Sequence, residues 1–322
     1  MGGTGRRVTG GVGGTGWGVT DDAPGAAGQA LAILGDRWVL LILQRAFALR
    51  IRTFAGWRDA LGISESVLAA RLRELVGHGI LELTAYRDGR TRYEYRLTGR
   101  GLGLWAPLAA IRSWEWDWTD GGTTPRLLHE LCGQEAGPYL GCETCRGPVS
   151  ARDTRVEAGP AAGFSRIGRP RGHRRTVRHD AGPDPIGYHP DSMEILGDRW
   201  SAALLAAAFL GSRRFVDFQA ELGIAPSVLT DRLRRFVELG VFASGPDGSY
   251  WPTDRGFALF GVFALLVDWA QRELPAPRGS ELTLTHTPCD APLAPVLFCA
   301  SCDLPLRRRE IRSSGAEEAP SR

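Results

Sequence analysis

The side chains in this 322-residue sequence best suited to chemistry are its cysteines and two of its six histidines. His129-x2-Cys132-x9-Cys142-x2-Cys145 offers four metal donors, and His286, Cys289, Cys299 and Cys302 repeat them at a constant offset of 157 residues. A pair of donors separated by two residues on a tight turn reaches one ion, and a second pair completes a tetrahedron, the pattern of a small zinc ribbon. The expectation is one structural Zn2+ within each segment, two per chain. Four ligands leave no open position for catalysis. Three cysteines per set fit disulfides poorly, and a reducing cytoplasm disfavours them. A redox Cys-x-x-Cys, or a sensor whose oxidised thiolates release the metal, is the alternative.

The segments that must position these donors are themselves repeated. Ile33-Leu-Gly-Asp-Arg-Trp38 recurs as Ile195-Leu-Gly-Asp-Arg-Trp200, Leu61-Gly-Ile63 as Leu222-Gly-Ile224, and Ser66-Val-Leu68 as Ser227-Val-Leu229. Each unit is read as a helical module followed by a Cys/His module. The boundaries are a disordered Gly-rich tail over 1–26, helical modules over 27–120 and 187–275, Cys/His modules over 121–150 and 276–312, a basic linker over 151–186 and a disordered tail over 313–322. The linker contains Arg166, Arg169, Arg171, Arg174, Arg175 and Arg178, and its His173 and His179 read as solvated, as does His78 near a helix end.

Within the first unit, Asp36 can cap a helix whose apolar residues Trp38 to Leu43 are nearly continuous. A second helix spans Phe54 to Leu61 and stops at Gly62. Ser64 can cap a third helix with Val67, Leu68, Leu72 and Leu75 inward and Glu65, Ser66, Ala69, Ala70 and Arg73 outward. Two runs alternating around Asp88-Gly89 predict a hairpin that carries Arg87, Arg90, Arg92 and Arg96. Helix-turn-helix followed by a hairpin is the winged arrangement, so the fold class is mainly α with small β wings, two such domains each followed by a zinc-ribbon-like module. A last helix rich in Leu104, Trp105, Leu108, Ile111, Trp114 and Trp118 is too apolar for a small domain to bury alone and reads as a dimerisation surface. An effector pocket lined by these aromatics, with Trp116, Phe257, Phe260, Phe263 and Trp269, is the alternative.

Gly35-Asp-Arg-Trp38, Phe54, Leu61-Gly-Ile-Ser64, Val67-Leu68, Arg71-Leu72, Gly79 and Tyr95 through Thr98 to Gly101 stand in the order found in the HxlR family of winged helix-turn-helix regulators, which this sequence resembles twice over. The resemblance implies a bacterial transcription regulator that acts as a dimer on double-stranded DNA, with the helix beginning near Ser64 in the major groove. One departure is plain. Neither Gln29-Ala30 nor Ser192-Met193 supplies the cysteine that some members carry before the first core helix, so redox sensing by that route is not expected.

The two units differ in charge. Residues 27–118 hold 13 Arg against 9 acidic residues, a net of +4, whereas residues 187–274 hold 8 against 11, a net of −3. The second hairpin, around Gly245-Pro-Asp-Gly248, is shorter and lacks arginine. Because neutralising phosphates supplies much of the affinity for DNA, the first repeat should dominate. Its candidate DNA contacts are Ser64, Glu65, Ser66, Ala69, Ala70, Arg73, Arg87, Arg90 and Arg92, and the second repeat adds Ser227, Thr230 and Arg234. The chain then reads as a covalent pseudo-dimer, with further homodimerisation and a small-molecule effector left open. The alternative is a ligand-sensing or protein-interaction scaffold that kept the fold and lost tight DNA binding.

Composition bounds these readings. All 39 positive residues are arginine, and net charge is only +3. No apolar run reaches the roughly 20 residues of a membrane span, and no signal-peptide core is present, so a cytoplasmic protein is expected. No phosphate-binding Gly motif, nucleophile elbow or Ser-His-Asp set points to an enzyme.

Overall fold

A computed structural model describes residues 24–88, 90–119, 126–160, 162, 164 and 188–313. Most of the expected N-terminal tail, the linker arginines with His173 and His179, the end of the C-terminal tail and the Arg90 side chain lie outside what is described.

The first unit runs α1 (Ala26–Leu34), α2 (Arg37–Ala48), α3 (Phe54–Leu61), α4 (Glu65–Gly77), β1 (Leu81–Asp88), β2 (Arg90–Leu97), α5 (Gly99–Leu102) and α6 (Trp105–Trp118). Short strands follow: β3 (Leu127–His129), β4 (Gln134–Glu135), β5 (Tyr139–Cys142) and β6 (Thr154–Ala158). The second unit repeats the order as α7 (Pro190–Ile195), α8 (Arg199–Phe209), α9 (Phe215–Leu222), α10 (Pro226–Glu238), β7 (Phe242–Ser244), β8 (Tyr250–Pro252), α11 (Asp254–Phe257) and α12 (Phe260–Glu273). Its short strands are β9 (Leu282–His286), β10 (Ala291–Pro292), β11 (Pro295–Phe298) and β12 (Ile311–Ser313).

Local chemistry explains the helix-turn-helix units. Gly62 and Gly223 close α3 and α9 in the left-handed region, at φ of 57° and 59°, where L side chains are strained. Apolar residues at helical spacing, Leu68, Leu72 and Leu75 on α4 and Leu229, Leu233 and Phe236 on α10, are fully or almost fully buried, which anchors each helix by one face. Ser64 takes the N-cap position of α4, but its hydroxyl makes no capping bond. The β1–β2 hairpin is eight residues per strand and the β7–β8 hairpin three, as the sequence lengths demand.

The two copies of the Gly-Asp-Arg motif meet. Asp36 and Asp198 meet in an antiparallel bridge, and each also caps its own helix, accepting the amides of Trp38 and Val39 or of Ser201. Each is paired with an arginine of α4 or α10 in its own unit, Asp36 with Arg71 at 2.6 Å and Asp198 with Arg232 at 2.8 Å. The glycines are needed for this crossing: a Cβ on Gly35 would sit 2.6 Å from the Arg199 Cα, and one on Gly197 3.2 Å from the Arg37 Cα. Helices α6 and α12 pack along the same seam, and their indoles reach across it. Trp114 Nε1 donates to the Arg255 carbonyl at 2.9 Å, and Trp269 Nε1 to the Arg100 carbonyl at 3.0 Å.

The small strands depart from the sequence expectation. β5 pairs with β11, β6 with β9 and β12 with β3, so strands from the two halves are interlaced instead of forming two separate modules. The Leu140–Leu297 pair, related by the 157-residue offset, lies at the centre of the β5–β11 register. Residues 154–158, expected in the linker, are the strand β6. Strands of two to five residues cannot bury a core alone, and exchange with the other half completes their hydrogen bonding.

Candidate functional site

The interlacing regroups the metal donors. His129 and Cys132 meet Cys299 and Cys302, while Cys142 and Cys145 meet His286 and Cys289, with all donor atoms of each set within 4.8 Å of one another. The expectation that His129, Cys132, Cys142 and Cys145 share one ion, and His286, Cys289, Cys299 and Cys302 another, is therefore corrected: the same eight residues form two clusters, each drawn from both repeats. The constant offset satisfies either grouping equally, and strand exchange between the halves decides between them.

Both clusters fit a tetrahedral ion. A metal–sulfur bond of ~2.3 Å and a metal–nitrogen bond of ~2.0 Å at tetrahedral angles place sulfurs ~3.8 Å apart and sulfur from nitrogen ~3.5 Å. Cys132 Sγ lies 3.9 Å from Cys299 Sγ and 3.5 Å from His129 Nδ1, and Cys302 Sγ is 3.3 Å from that nitrogen. In the other cluster, Cys145 Sγ and Cys289 Sγ each lie 3.3 Å from His286 Nδ1. Each donor pair is followed directly by a residue in the left-handed region: Gly133, Arg146, Asp290 and Asp303, at φ of 69°, 60°, 51° and 59°. Three non-glycine residues in that region mark a turn geometry imposed by its surroundings. The Nε2 atoms of both histidines are buried without a hydrogen bond, which leaves Nδ1 as the inward donor. His129 Nε2 faces Glu310 Oε2 at 3.9 Å, the outer carboxylate that commonly orients a metal-bound imidazole. Each cluster can hold one metal ion.

The candidate DNA contacts divide by repeat. In the first, Ser64, Ser66 and Arg73 are exposed along α4 and the start of its turn, with the Arg73 Nε donating to the Ala69 carbonyl of its own helix at 3.2 Å. Glu65 is exposed but paired with Arg58 at 3.1 Å. Ala69 and Ala70 are half-buried, so they stand at the edge of the outer face. Arg87 and Arg92 are exposed on the hairpin, and Arg96 pairs with Glu94 there. Sequence reasoning overlooked Leu83 and Tyr93, which are 51% and 62% exposed on the hairpin; Tyr93 pairs across strands with Ala85, beside Arg87. In the second repeat the charges cancel. Arg234 pairs with Asp231 and Glu238, both at 2.8 Å, Arg232 with Asp198 and Asp231, and Arg235 with Glu194 and Glu238. The Thr230 hydroxyl donates to the Pro226 carbonyl at 2.9 Å, and Ser227 is exposed.

A cavity of about 310 Å³ opens at the seam between Trp114 and Trp118 of α6, Tyr139 of β5, Arg152, and Phe257 and Phe260 of the second repeat. No described helix is long and apolar enough to cross a membrane.

Comparison with known proteins agrees with this geometry. The model of the HxlR-like helix-turn-helix family matches residues 33–122 and 195–277, which fall on the two helical units. The uncharacterized HTH-type transcriptional regulator Rv3095 of Mycobacterium tuberculosis is 36% identical over 137 residues, 42% of this chain and 86% of that protein. YvaP of Bacillus subtilis, also named an HTH-type transcriptional regulator, is 34% identical over 93 residues, 29% of this chain and 85% of its own. Among solved structures, PA1607, described as a candidate transcription factor, is 35% identical with a TM-score of 0.36, covering 39% of this chain and 89% of its own.

Proposed function

Since this chain belongs to the HxlR-like helix-turn-helix family of transcriptional regulators, we propose that it binds double-stranded DNA as a covalent pseudo-dimer, with one chain supplying the two units that single-unit relatives would supply as two. The observation that carries the asymmetric part of this reading is the charge contrast between the recognition elements. Arg71 and Arg232 are tied to acids alike, but Arg73 and Arg87 have no carboxylate partner among the described residues, whereas Arg234 and Arg235 are each tied to two acids. Phosphate contacts dominate affinity and set its salt dependence, so the first repeat carries binding: α4 enters the major groove through Ser64, Glu65, Ser66, Ala69, Ala70 and Arg73, and Arg87, Arg90 and Arg92 of the hairpin hold phosphate. Ser227, Thr230 and Arg234 add weaker contacts. Unequal halves prefer an asymmetric operator.

Each Cys/His cluster holds a structural Zn2+, since three thiolates and an imidazole in a tetrahedron suit that ion. His129, Cys132, Cys299 and Cys302 hold one ion and Cys142, Cys145, His286 and Cys289 the other, so that both clasp the two repeats together. The regulator reading is tested by mobility shift on the DNA upstream of its own gene at two salt concentrations, with zinc measured by elemental analysis. A specific, salt-sensitive shift and two zinc ions per chain are expected. A shift indifferent to salt would overturn the arginine-driven mode of binding. The self-neutralised α10 favours a second reading, in which the second unit is a protein-interaction scaffold or senses a ligand in the seam cavity; loss of all specific binding would favour it.

A further inference from the structure

The two clusters are built from equivalent residues, yet three differences set them apart. Cys145 is exposed, whereas the other seven ligands are buried or half-buried. Two residues on, Gly147 leaves the cluster uncovered: a Cβ there would lie 3.4 Å from Cys145 Sγ and 3.7 Å from His286 Cε1, and the position 157 residues later is Leu304. The outer shells also differ. Neither Nε2 has a hydrogen bond, but the Glu310 carboxylate faces the His129 ring at 3.9 Å, whereas its counterpart Asp153 is engaged by the Ser150 hydroxyl at 2.6 Å and no ion pair to His286 occurs among the described residues.

We propose that Cys145 is an oxidation site, the thiolate at which a small hydroperoxide dismantles the Cys142–Cys145–His286–Cys289 cluster while the other stays loaded. This rests on the zinc reading given above. The Cys145 sulfur attacks the terminal peroxide oxygen; the S–O bond forms, the O–O bond breaks, and the departing alkoxide or hydroxide takes a proton from water. A second thiolate of the cluster, Cys142 or Cys289, then attacks the sulfenic sulfur and expels hydroxide, which is protonated. Two thiolates have become one disulfide, the hydroperoxide has taken two electrons and two protons, and an ion left with two donors is released. Exposure and thiolate character select the reacting sulfur. The pairing across repeats makes release of that ion a loosening of one side of the pseudo-dimer only.

The experiment titrates the full zinc-loaded chain with hydrogen peroxide, following released zinc with a chromophoric chelator and mapping oxidised thiols by differential alkylation and mass spectrometry. One zinc per chain should leave about ten-fold faster than the other, a ratio within the range that outer-shell differences produce. Cys145 should be oxidised in that phase, with Cys132, Cys299 and Cys302 protected. Gly147→Leu changes no ligand and should slow the fast phase towards the slow one. Equal phases, first oxidation at Cys299 or Cys302, or a fast phase untouched by Gly147→Leu would overturn the proposal while leaving the zinc reading intact. Untreated protein with no metal and six freely alkylated thiols would overturn the zinc reading and this inference together.

Discussion

Glu115 on α6 is fully buried at the seam, and its neutralisation by Gln should turn a pH-dependent weakness of the fold into a constant. Its Oε1 accepts the backbone N–H of His189, from the start of the second unit, at 2.6 Å, while Oε2 lies 3.6 Å from Arg112 Nη1 without a hydrogen bond. Burial pushes the carboxyl from the usual 4.5 to about 7, the Arg112 charge and the hydrogen bonds offsetting only part of the cost. An acid whose folded pKa lies above its unfolded value holds its proton better in the native state, so its contribution is present below pH 4.5 and is lost as pH rises towards 7 and beyond. At about 1.4 kcal/mol per pH unit, that displacement costs the native state about 3 kcal/mol by pH 8. The readout is a difference between two proteins that share every other titrating group, so the remaining pH dependence of the fold cancels. Urea unfolding of the wild type and Glu115→Gln, under the same metal conditions, should give a stability gap that shifts in favour of Gln by about 2.5 kcal/mol between pH 5 and pH 8 and flattens above that. A gap independent of pH, or one that moves in favour of the wild type as pH rises, would refute the reasoning and show that Arg112 stabilises the ionised form.

Replacing Arg87, Arg90 and Arg92 together with Ala should lower the slope of log K against log salt by about two to three, since each phosphate contact contributes about 0.9; Arg234→Ala should leave the slope nearly unchanged. Glu310→Gln should weaken metal binding at the His129 cluster about ten-fold or more while sparing the other, read as zinc release to a competing chelator. Gly35→Ala should destabilise the whole chain, because its Cβ would lie 2.5 Å from the Leu31 carbonyl and 2.6 Å from the Arg199 Cα; an unchanged thermal midpoint would remove the close crossing of the two Gly-Asp-Arg motifs. Trp114→Phe removes the indole N–H and part of the buried ring volume, leaving the Arg255 carbonyl without that donor, and should cost at least about 1–3 kcal/mol in urea unfolding.

What the sequence revealed and what it withheld follow from range. Helix-turn-helix positions are fixed by local signals: the glycines at 62 and 223, the apolar spacing of Leu68, Leu72 and Leu75, and the Asp caps at 36 and 198 all act within a turn or two of themselves. The Cys/His residues that cluster were legible for the same reason, as pairs on tight turns. Which pairs share an ion was not, because His129 finds Cys302 across 173 residues and a repeat at fixed offset is indifferent to whether its halves close on themselves or on each other. The muted second repeat was half legible: its acidic balance was countable, but that Asp231 and Glu238 both fall on Arg234 follows from their placement on one face of α10. The exposed Leu83 and Tyr93 gave no signal at all, since alternation predicts a half-buried hairpin and this one projects from the core.

The exchange of strands has a consequence for synthesis. Cys132 leaves the ribosome 170 residues before Cys302, and at 5–20 residues per second that is an interval of about 10–30 s in which half of each metal cluster exists without its complement. During that interval β3 has β4 but not β12, β5 lacks β11, and the cysteines of the first half lack those of the second. On a crowded message, the first complement to arrive can belong to the neighbouring chain, which would join two polypeptides through the contacts that otherwise close one. On the reading proposed above, the 157-residue spacing would make the speed of translation and the supply of metal part of the chain's assembly.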